Sequence, residues 1–334
     1  MLDRLVVIGA SSGGIDAMRT LSAALPPDFP APILVVIHTS PAAPGLLAGI
    51  LERAGPLSAR TADDGERLQP GHIYVPPPDH HLLVEPGRLR TTKGPKENLF
   101  RPAIDPLFRS AAQVYGPAVV GVLLTGNLDD GTAGLRIIKQ LGGIAVVQHP
   151  ADALFPSMPT SALQHVDVDH CVPLSEIASL LTTLLAPPVE EEAPVPATKL
   201  VAIEVEIAKG ENAMNIGLEE IAEPSSFACP ECHGVLLRLR GEHPRRFRCH
   251  TGHAYSTQSL VTAFGQGIED SLWAAVRSLE EAALLFGELA AHKRHEGDDE
   301  GGAALEDEAR KAHRHAQAVQ EVVVSRGAVP LQKA

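Results

Sequence analysis

A serine between glycines, directly after an apolar run, is the first group in the chain whose residue types and spacing could do chemistry. Residues 5–8 are apolar and mostly β-branched, small residues follow at 9–14, and helical spacing of apolar residues then resumes. This pattern predicts a buried strand, a tight turn and a helix N-terminus. Gly9, Ser11 and Gly13 fit the G-x-S-x-G nucleophile elbow, which exposes a serine hydroxyl at a strand end. A plain strand-to-helix turn or a phosphate-binding loop would have the same pattern.

Two further residues could supply the partners that a nucleophilic serine needs. His38 follows the apolar run 32–37, and Asp130 follows the most strand-like stretch of the sequence, 119–124. In an open parallel sheet, functional groups gather at the carboxyl ends of the strands. A histidine there can take the serine proton, and a carboxylate can orient the imidazole and stabilise its cation. Although each placement alone is typical of a loop, the three together predict a Ser11–His38–Asp130 triad.

The elements that must position these residues alternate between strands and helices. The strands are predicted at 5–8, 32–37, 72–75, 119–124 and 144–147, a hairpin at 82–91, and helices at 46–53, 104–115 and 132–141. Near-continuous apolar strands separated by helices indicate a parallel sheet covered on both faces. The predicted fold class is therefore α/β, a doubly wound, mostly parallel sheet in a Rossmann-like three-layer arrangement.

Several ordered motifs in the first 185 residues resemble one known family. They are Ile8-Gly-Ala-Ser-Ser-Gly-Gly14, the strand ending at His38, Asp64-Gly-Glu-Arg67 with Pro70-Gly-His-Ile-Tyr74, Arg101-Pro-Ala-Ile-Asp105, and Leu124-Thr-Gly-Asn-Leu-Asp-Asp-Gly131. Together they resemble the catalytic domain of chemotaxis protein-glutamate methylesterases. The resemblance implies hydrolysis of γ-glutamyl methyl esters on chemoreceptor helices with release of methanol. In some members it also implies deamidation of receptor glutamines.

The resemblance also implies roles for individual residues. Ser11 would be the nucleophile, His38 the general base and Asp130 its orienting carboxylate. The backbone amides of Ser12 and Asn127 are expected to form the oxyanion site. Arg101 is expected to bind substrate. No cofactor is expected for catalysis. The expected partners are methyl-accepting chemoreceptor helices, with a chemotaxis methyltransferase or a separate regulator as further candidates.

The sequence departs from the family pattern in three places. Asn127, Leu128 and Asp129 stand where the family loop has Met, Gly and Asn. Asp129 thereby places a second carboxylate beside Asp130, and repulsion between like charges raises a pKa. Phe100 stands where the family often has histidine. Regulated members begin with a phosphoacceptor receiver domain, whereas this sequence begins with the catalytic strand, so control by aspartyl phosphorylation within the chain is not expected.

Three cysteines and a histidine late in the chain have the spacing of a zinc site. Cys229 and Cys232 form a C-x-x-C knuckle that can hold half of a tetrahedral shell, and Cys249 can supply a third ligand. The fourth ligand is His253 or His250, and the reach from Cys249 favours His253. A redox C-x-x-C is the alternative, which the third cysteine weakens. Four protein ligands leave no open position, so the prediction is a structural Zn²⁺. Similar tails accompany some receiver-less members of the family.

The remaining sequence suggests how the chain is divided. The predicted domains are the catalytic domain at 1–185, a linker and unassigned segment at 186–224, a zinc-ribbon-like module at 225–258, and a helical hairpin and tail at 259–334. Alternating apolar residues at 200–206 favour a strand. Apolar residues at helical spacing from 260 to 286, and more weakly from 304 to 324, predict the hairpin, which would pack on a partner or cap the zinc module.

Some reactive side chains outside these motifs have simpler interpretations. Cys171 lies in an apolar stretch and is predicted to be a buried filler. His80 and His81 could bind a metal as a pair, but no carboxylate or cysteine stands near them in sequence, which favours solvated loop histidines. His149 precedes a proline in a polar turn and is expected on a surface loop.

Composition excludes several classes of protein. The formal net charge of −13 argues against a nucleic-acid or anionic-membrane surface. No apolar run approaches the roughly 18 residues of a membrane-spanning helix, so no membrane insertion is expected. Three of the four cysteines cluster within a short segment, unlike a secreted disulfide framework. The N-terminus lacks the features of a secretory leader, and a cytoplasmic location is predicted.

Two alternatives to a serine esterase remain open. A signalling adaptor could have kept the fold and lost useful turnover through the altered loop at 127–129. A nucleotide-binding domain could use the glycine turn for phosphates. That reading is weaker because the sequence lacks G-x-G-x-x-G spacing and has His38 where an acidic residue would close the second strand.

Overall fold

A computed structural model describes residues 4–186 and 195–325. The elements up to residue 186 are β1 (Leu5–Ala10), α1 (Gly14–Ala24), β2 (Ile33–Ile37), α2 (Leu47–Glu52), β3 (Ser58–Thr61), β4 (His72–Val75), β5 (His81–Glu85), β6 (Arg88–Thr92), α3 (Ile104–Tyr115), β7 (Val119–Leu123), α4 (Thr132–Gln140), β8 (Ile144–Gln148), α5 (Ser157–His165), β9 (His170–Val172) and α6 (Leu174–Leu185). The later elements are α7 (Lys199–Lys209), α8 (Leu218–Ile221), β10 (Ala222–Ala228), β11 (Val235–Leu239), β12 (Arg246–Cys249), β13 (Ala254–Ser256), α9 (Thr257–His295) and α10 (Asp299–Ser325).

Seven parallel strands form the central sheet, in the order β3-β4-β2-β1-β7-β8-β9. Because alternate side chains of a strand point to opposite faces, β1 supplies two apolar layers. Val6 and Ile8 pack with α1, α2 and α6, whereas Leu5 and Val7 pack with α3, α4, α5 and α7. The structure confirms the predicted α/β class with helices on both faces of the sheet.

The strand order creates a crevice at the carboxyl edge of the sheet. From β1 the chain adds β2, β4 and β3 on one side, and later adds β7, β8 and β9 on the other. The loops after β1 and β7 therefore leave neighbouring strands at the point where the order reverses, which is where open α/β sheets bind ligands.

Residues 199–209 form a helix, so the strand predicted at 200–206 is wrong. The Thr198 hydroxyl caps the first turn by accepting from the Val201 amide at 3.4 Å, and Gly210 ends the helix with φ of 104°. Val201 packs into the main core, Ile203 packs into a second cluster with β10 and β11, and Glu204 is fully buried. Because α7 is buried on several sides, its apolar pattern lacks the single stripe of an amphipathic helix.

Strands β10 to β13 form an antiparallel sheet, which we call the C-terminal sheet. It begins at Ala222, a little before the predicted boundary at 225. A buried charge cluster joins it to the α/β core: Arg248 of β12 contacts Glu97 at 2.9 Å and Glu204 at 2.7 Å, and Glu97 contacts Arg109 of α3 at 2.7 Å. These four side chains are at most 1% exposed, so solvent screens the attraction between their charges very little.

The structure divides into two compact units, one ending at Leu260 and one beginning at Val261. The second unit contains most of α9 and all of α10, and Arg294 pairs with Glu306 within it. Helix α10 begins at Asp299 rather than at the predicted 304, because the Asp298 carboxylate caps its first turn by accepting from the Gly301 amide at 2.9 Å. In the described residues, no helix is both long and apolar enough to cross a bilayer.

Two residue-level predictions are wrong. Cys171 is exposed rather than buried, because β9 is an edge strand of the sheet. His81 is fully buried rather than solvated: its Nε2 lies 2.9 Å from the Pro95 carbonyl, and its Nδ1 accepts from the Ala103 amide at 3.2 Å. His149 is exposed in a loop, as predicted. Residues 187–194 of the segment predicted as linker lie outside the described residues, as does the tail from 326.

Candidate functional site

Three side chains from three strand ends form a continuous hydrogen-bonded chain. Ser11 follows β1, His38 follows β2 and Asp130 lies in the loop after β7. Ser11 Oγ lies 2.9 Å from His38 Nδ1, and His38 Nε2 lies 2.7 Å from Asp130 Oδ2. The structure thus brings together the three residues predicted as a triad.

Local backbone geometry explains how Ser11 reaches this position. Its amide donates to the Thr125 carbonyl at 3.0 Å, which joins the turn after β1 to the loop after β7. Gly13 adopts φ of 75° at the start of α1, a conformation that glycine allows without strain. A Cβ on Gly126 would lie 2.8 Å from the Ser11 Cβ and 2.1 Å from the Met158 sulfur. Only glycine therefore lets this loop pass so close to the serine.

The surroundings of Asp130 fix its charge and, through it, the histidine tautomer. Burial alone would raise the pKa of Asp130, but hydrogen bonds and charge from His38, with bonds from the Ile104 amide and Asn98, hold it below its usual value. Ionised Asp130 can only accept, so His38 Nε2 carries the proton. In the neutral imidazole, Nδ1 is then the acceptor and faces the Ser11 hydroxyl. This is the arrangement that a general base requires.

The second carboxylate of the loop, Asp129, takes no direct part in this chain. Its Oδ1 accepts from the Ser256 hydroxyl at 2.6 Å, whereas Asp130 contacts His38. Burial and the neighbouring Asp130 raise the pKa of Asp129 to about 6. Leu128, which stands where the family loop has glycine, adopts φ of 63°. The altered loop therefore keeps a left-handed residue and leaves Asp130 in contact with the imidazole.

Two residues near the triad, Asn98 and Phe100, had no role assigned to them from the sequence. The Phe100 ring stacks on the His38 imidazole with centroids 3.7 Å apart and planes 6° apart. The Asn98 side-chain amide donates to Asp130 Oδ1 at 2.9 Å and to Asp105 Oδ2 at 3.1 Å. Both lie just before the R-P-A-I-D motif, which is the only sequence signal for Asn98, whereas Phe100 also stands where the family often has histidine. Burial and Asp130 raise the pKa of Asp105 to about 7.

The expected oxyanion donors lie beside Ser11. The Asn127 side chain donates to the Ser12 hydroxyl at 3.0 Å, which brings the two loops together. Among the described residues, no backbone carbonyl accepts a hydrogen bond from the amide of Ser12 or of Asn127. Two such amides beside a nucleophile can donate hydrogen bonds to an oxyanion.

A groove of about 400 Å³ opens beside the triad, lined in part by Ser11, His38, Leu99, Phe100 and Arg101. The Arg101 guanidinium contacts Asp79 Oδ1 at 2.8 Å and donates to the Gly94 carbonyl at 2.8 Å. It therefore holds the groove wall, and its assignment to substrate binding remains a prediction.

The four residues predicted to bind zinc form one cluster. Sγ of Cys229, Cys232 and Cys249 and a ring nitrogen of His253 all lie within 4.8 Å of one another. Cys232 and Cys249 Sγ are 3.6 Å apart, and His253 Nδ1 is 3.5 Å from Cys249 Sγ. Ligands 2.0–2.3 Å from a tetrahedral Zn²⁺ are about 3.5–3.8 Å from each other, so the donor set fits this ion. His250 is exposed and outside the cluster.

Comparison with known proteins follows this geometry. A sequence model of the CheB methylesterase family matches residues 6–181, which is more than half of the chain. The chain belongs to the CheB methylesterase family. The match covers the central sheet and all three triad residues, and it ends before α7 and the C-terminal sheet.

Individual CheB relatives agree with this assignment. A Leptospira interrogans protein, provisionally named a protein-glutamate methylesterase/protein-glutamine glutaminase, is 41% identical over 180 residues, covering 54% of this chain and 93% of the relative. The second such enzyme of Anaeromyxobacter dehalogenans is also 41% identical over 54% of this chain, which covers only 53% of that protein. The crystal structure of the Thermotoga maritima CheB catalytic domain matches 55% of this chain and all of that domain, with 34% identity and a TM-score of 0.53.

Proposed function

We propose that this CheB family member is a serine esterase that hydrolyses glutamate γ-methyl esters on chemoreceptor helices and releases methanol. The family assignment supports the reaction class, and relatives bearing that enzyme name support the substrate. Deamidation of receptor glutamines uses the same acyl chemistry, with ammonia in place of methanol as the leaving group. The expected place of action is the cytoplasm, where the methylated receptor helices lie.

The first half of the reaction follows from the hydrogen-bonded chain. Ser11 Oγ attacks the ester carbonyl carbon while His38 Nδ1 takes the hydroxyl proton, and Asp130 stabilises the imidazolium through Nε2. The tetrahedral oxyanion accepts hydrogen bonds from the amides of Ser12 and Asn127. Breaking the carbon–methoxy bond, with proton transfer from Nδ1 to the methoxy oxygen, releases methanol and leaves an acyl-serine.

The second half regenerates the enzyme with the same groups. Water attacks the acyl carbon as His38 Nδ1 takes one of its protons, and collapse of the second tetrahedral species returns that proton to Ser11 Oγ. The glutamate side chain leaves as a carboxylic acid, which gives its remaining proton to the solvent and becomes a carboxylate. These steps use no group beyond the side chains and amides of the site.

The observation that carries this proposal is the unbroken path from Ser11 through His38 to Asp130. Methanol release from a methylated receptor fragment tests it. Ser11→Ala should reduce the rate by about 10³-fold or more, because the remaining triad residues depend on the nucleophile. Ser12→Ala is the matched control, since it keeps the backbone amide and should remain within about tenfold of the native rate. Equal rates for Ser11→Ala and the native chain would favour the adaptor hypothesis.

We further propose that the cysteine and histidine cluster holds one structural Zn²⁺. The separations of the ligand atoms and the four-ligand set support this. Metal analysis of the purified protein should find one zinc per chain, and Cys232→Ser should reduce that content. Cys171→Ser is the matched control, because Cys171 is exposed and outside the cluster. A full complement of zinc in Cys232→Ser, or no zinc in the native chain, would contradict the proposal.

A further inference from the structure

We propose that the C-terminal sheet positions the catalytic carboxylate, acting through Asn98 and the start of α9. This inference rests on the proposed esterase function, because it assigns a role to the side chains that hold Asp130. Asn98 and Ser256 are 158 positions apart in sequence. Asn98 belongs to the α/β core, whereas Ser256 belongs to the C-terminal sheet. Their contacts connect the proposed zinc-binding part of the chain to the triad.

The turn that carries Asn98 has an unfavourable backbone. Asn98 and Leu99 have φ of 50° and 77°, and a left-handed conformation is costly for a side chain such as leucine. Hydrogen bonds between Glu97 and Phe100 in both directions close the turn, at 3.1 and 2.9 Å. Such a conformation persists only where the surroundings hold it in place.

Strand β13 supplies part of that support from outside the α/β core. The Asn98 backbone amide donates to the Ala254 carbonyl at 2.8 Å. The Ala254 backbone amide donates to the Lys96 carbonyl at 3.2 Å. The turn is thus extended onto the edge of the C-terminal sheet as a short parallel bridge. Arg248 on the neighbouring strand β12 fixes Glu97 at 2.9 Å.

The side chain of Asn98 is held from the same direction. Its Oδ1 accepts from the Ser256 amide at 2.9 Å and from the Ser259 hydroxyl at 3.1 Å. A backbone amide can only donate, so these contacts determine which end of the Asn98 side chain is oxygen. The NH₂ group must then face the carboxylates, where it donates to Asp130 Oδ1.

The last residue of the same turn extends the effect to the general base. Phe100 stacks on the His38 ring, so the turn contacts two of the three triad residues. The Ser256 hydroxyl also donates to Asp129, the residue before the triad carboxylate. Asn98, Ser256 and Ser259 do not line the groove beside Ser11, so they are positioning residues and do not touch substrate.

The rate constant for labelling of Ser11 by a fluorophosphonate, measured on the full-length protein, tests this inference. Asn98→Ala should reduce it about 10- to 100-fold, because a misplaced general base activates the serine poorly. Ser259→Ala should reduce it about threefold to tenfold, since the Ser256 amide still holds Asn98. The double variant should label no more slowly than Asn98→Ala, because Ser259 acts through Asn98.

Two controls separate positioning from damage to the fold. Thr257→Ala removes an exposed hydroxyl from the same first turn of α9, one that donates to the Arg245 carbonyl, and should label at the native rate. The final stoichiometry should remain one label per chain in each variant. Partial unfolding would instead lower the stoichiometry and leave the rate constant of the folded fraction unchanged. If Asn98→Ala loses stoichiometry, Ser259→Ala alone decides the question.

The possible outcomes distinguish this inference from the proposed function. If Ser11 of the native chain is not labelled, the esterase proposal fails first. If the native chain is labelled and Ser259→Ala reacts at the native rate, the esterase proposal stands and the positioning role is overturned. Additive losses in the double variant would likewise show that Ser259 does not act through Asn98.

Discussion

Two adjacent carboxyl groups in the loop after β7 have different chemistry because their hydrogen-bond partners differ. Asp130 accepts from His38, Asn98 and the Ile104 amide, and these contacts hold its pKa below the usual value despite burial. Asp129 accepts from the Ser256 hydroxyl and lies beside a charge of its own sign, and its pKa is raised to about 6. Near neutral pH both can be ionised, but only Asp130 can orient the imidazole.

The first prediction compares the two aspartates. Asp130→Asn should reduce methanol release by about 10³- to 10⁴-fold, because a neutral amide neither fixes the His38 tautomer nor stabilises the imidazolium. Asp129→Asn keeps an oxygen that can accept from Ser256 and should stay within about tenfold of the native rate. Steady-state rates at one pH suffice, and equal losses in both variants would contradict the assignment of the triad carboxylate.

The second prediction concerns stability and pH. The folded state binds the Asp129 proton more tightly than the unfolded chain, because the pKa is raised from 3.8 to about 6. Its contribution to the free energy of unfolding is therefore fully present below pH about 4 and is lost as the pH rises through 6. Asp129→Asn should become more stable than the native chain by up to about 3 kcal/mol above pH 7.

Urea unfolding of both proteins at pH 5, 6, 7 and 8 measures this difference. The gain should grow between pH 5 and 7 and then level off. A difference between the two proteins that does not change with pH would mean that Asp129 has an ordinary pKa in the folded state.

At the residue scale, the sequence identifies the three residues that the structure brings together, but it does not identify the side chains that support them. Ser11, His38 and Asp130 each follow a recognisable apolar strand, and parallel strands bring their carboxyl ends to one edge. Asn98 has no such signal, because its role depends on pairing with β13, 156 residues later in the chain. The burial of His81 could likewise not be predicted from the sequence, because its partners Pro95 and Ala103 lie in loops.

Helix α7 is the element that joins the sheet domain to the C-terminal sheet. Its Glu204 accepts from Arg246 at 2.7 Å and from Arg248 at 2.7 Å, and all three side chains are buried. Burial alone would raise the pKa of Glu204, but Arg109, Arg246 and Arg248 hold it well below the usual value. The helix thus carries a carboxylate that pairs with two arginines of β12, each of which has a second carboxylate partner.

The third prediction follows from this charge. Glu204→Gln should lower the free energy of unfolding by about 3–5 kcal/mol, because it removes one carboxylate from the buried cluster and leaves one positive charge there uncompensated. Glu206→Gln is the matched control on the same helix, where the carboxylate is partly exposed and pairs with Lys209 at 2.9 Å. That change should cost less than about 1 kcal/mol, the usual value of an exposed pair. Similar costs measured by urea unfolding would show that the buried cluster contributes little.

Most elements of the α/β core were predictable because they are near-continuous apolar strands or helices with one apolar face, but β3, α6 and α7 were not predicted. The apolar residues of α7 pack into two hydrophobic clusters and surround a buried glutamate. The sequence therefore shows strand-like alternation of apolar residues more clearly than the spacing of an amphipathic helix. The capping residues Thr198 and Gly210 were the better signal, because they mark helix ends whatever the burial of the faces between them.

At the scale of the whole molecule, the triad and the proposed zinc cluster belong to one compact unit that ends at Leu260. His253 lies directly before Ala254, which pairs with the Asn98 turn, and Cys249 ends the strand that carries Arg248. The sequence predicted separate domains at 1–185 and 225–258. The sequence could not show that these domains pack together. The charged residues at 97, 109, 204 and 248 are spread widely along the sequence, and only the fold brings them into contact.

The fourth prediction couples these two regions. Removing metal from the native protein with a chelator should slow fluorophosphonate labelling of Ser11 by about tenfold or more, because the C-terminal sheet loses the support of its cluster. Added Zn²⁺ should restore the rate, and Cys232→Ser should be slow with or without chelator. Far-UV circular dichroism followed in parallel reports unfolding. A chelator that removes the metal and leaves the labelling rate unchanged would contradict the coupling.

The buried charge cluster also limits how this sequence can change over generations. A substitution that neutralises Glu97 leaves Arg248 without one of its two anions, and a substitution at Arg248 leaves both Glu97 and Glu204 undercompensated. A descendant that lost the C-terminal sheet would keep Glu97 and Asn98 without the partners that Arg248 and Ser256 supply. Positions 97, 204, 246 and 248 are therefore expected to mutate as a set, and a selection for esterase activity from a library randomised at all four should return charge-balanced combinations.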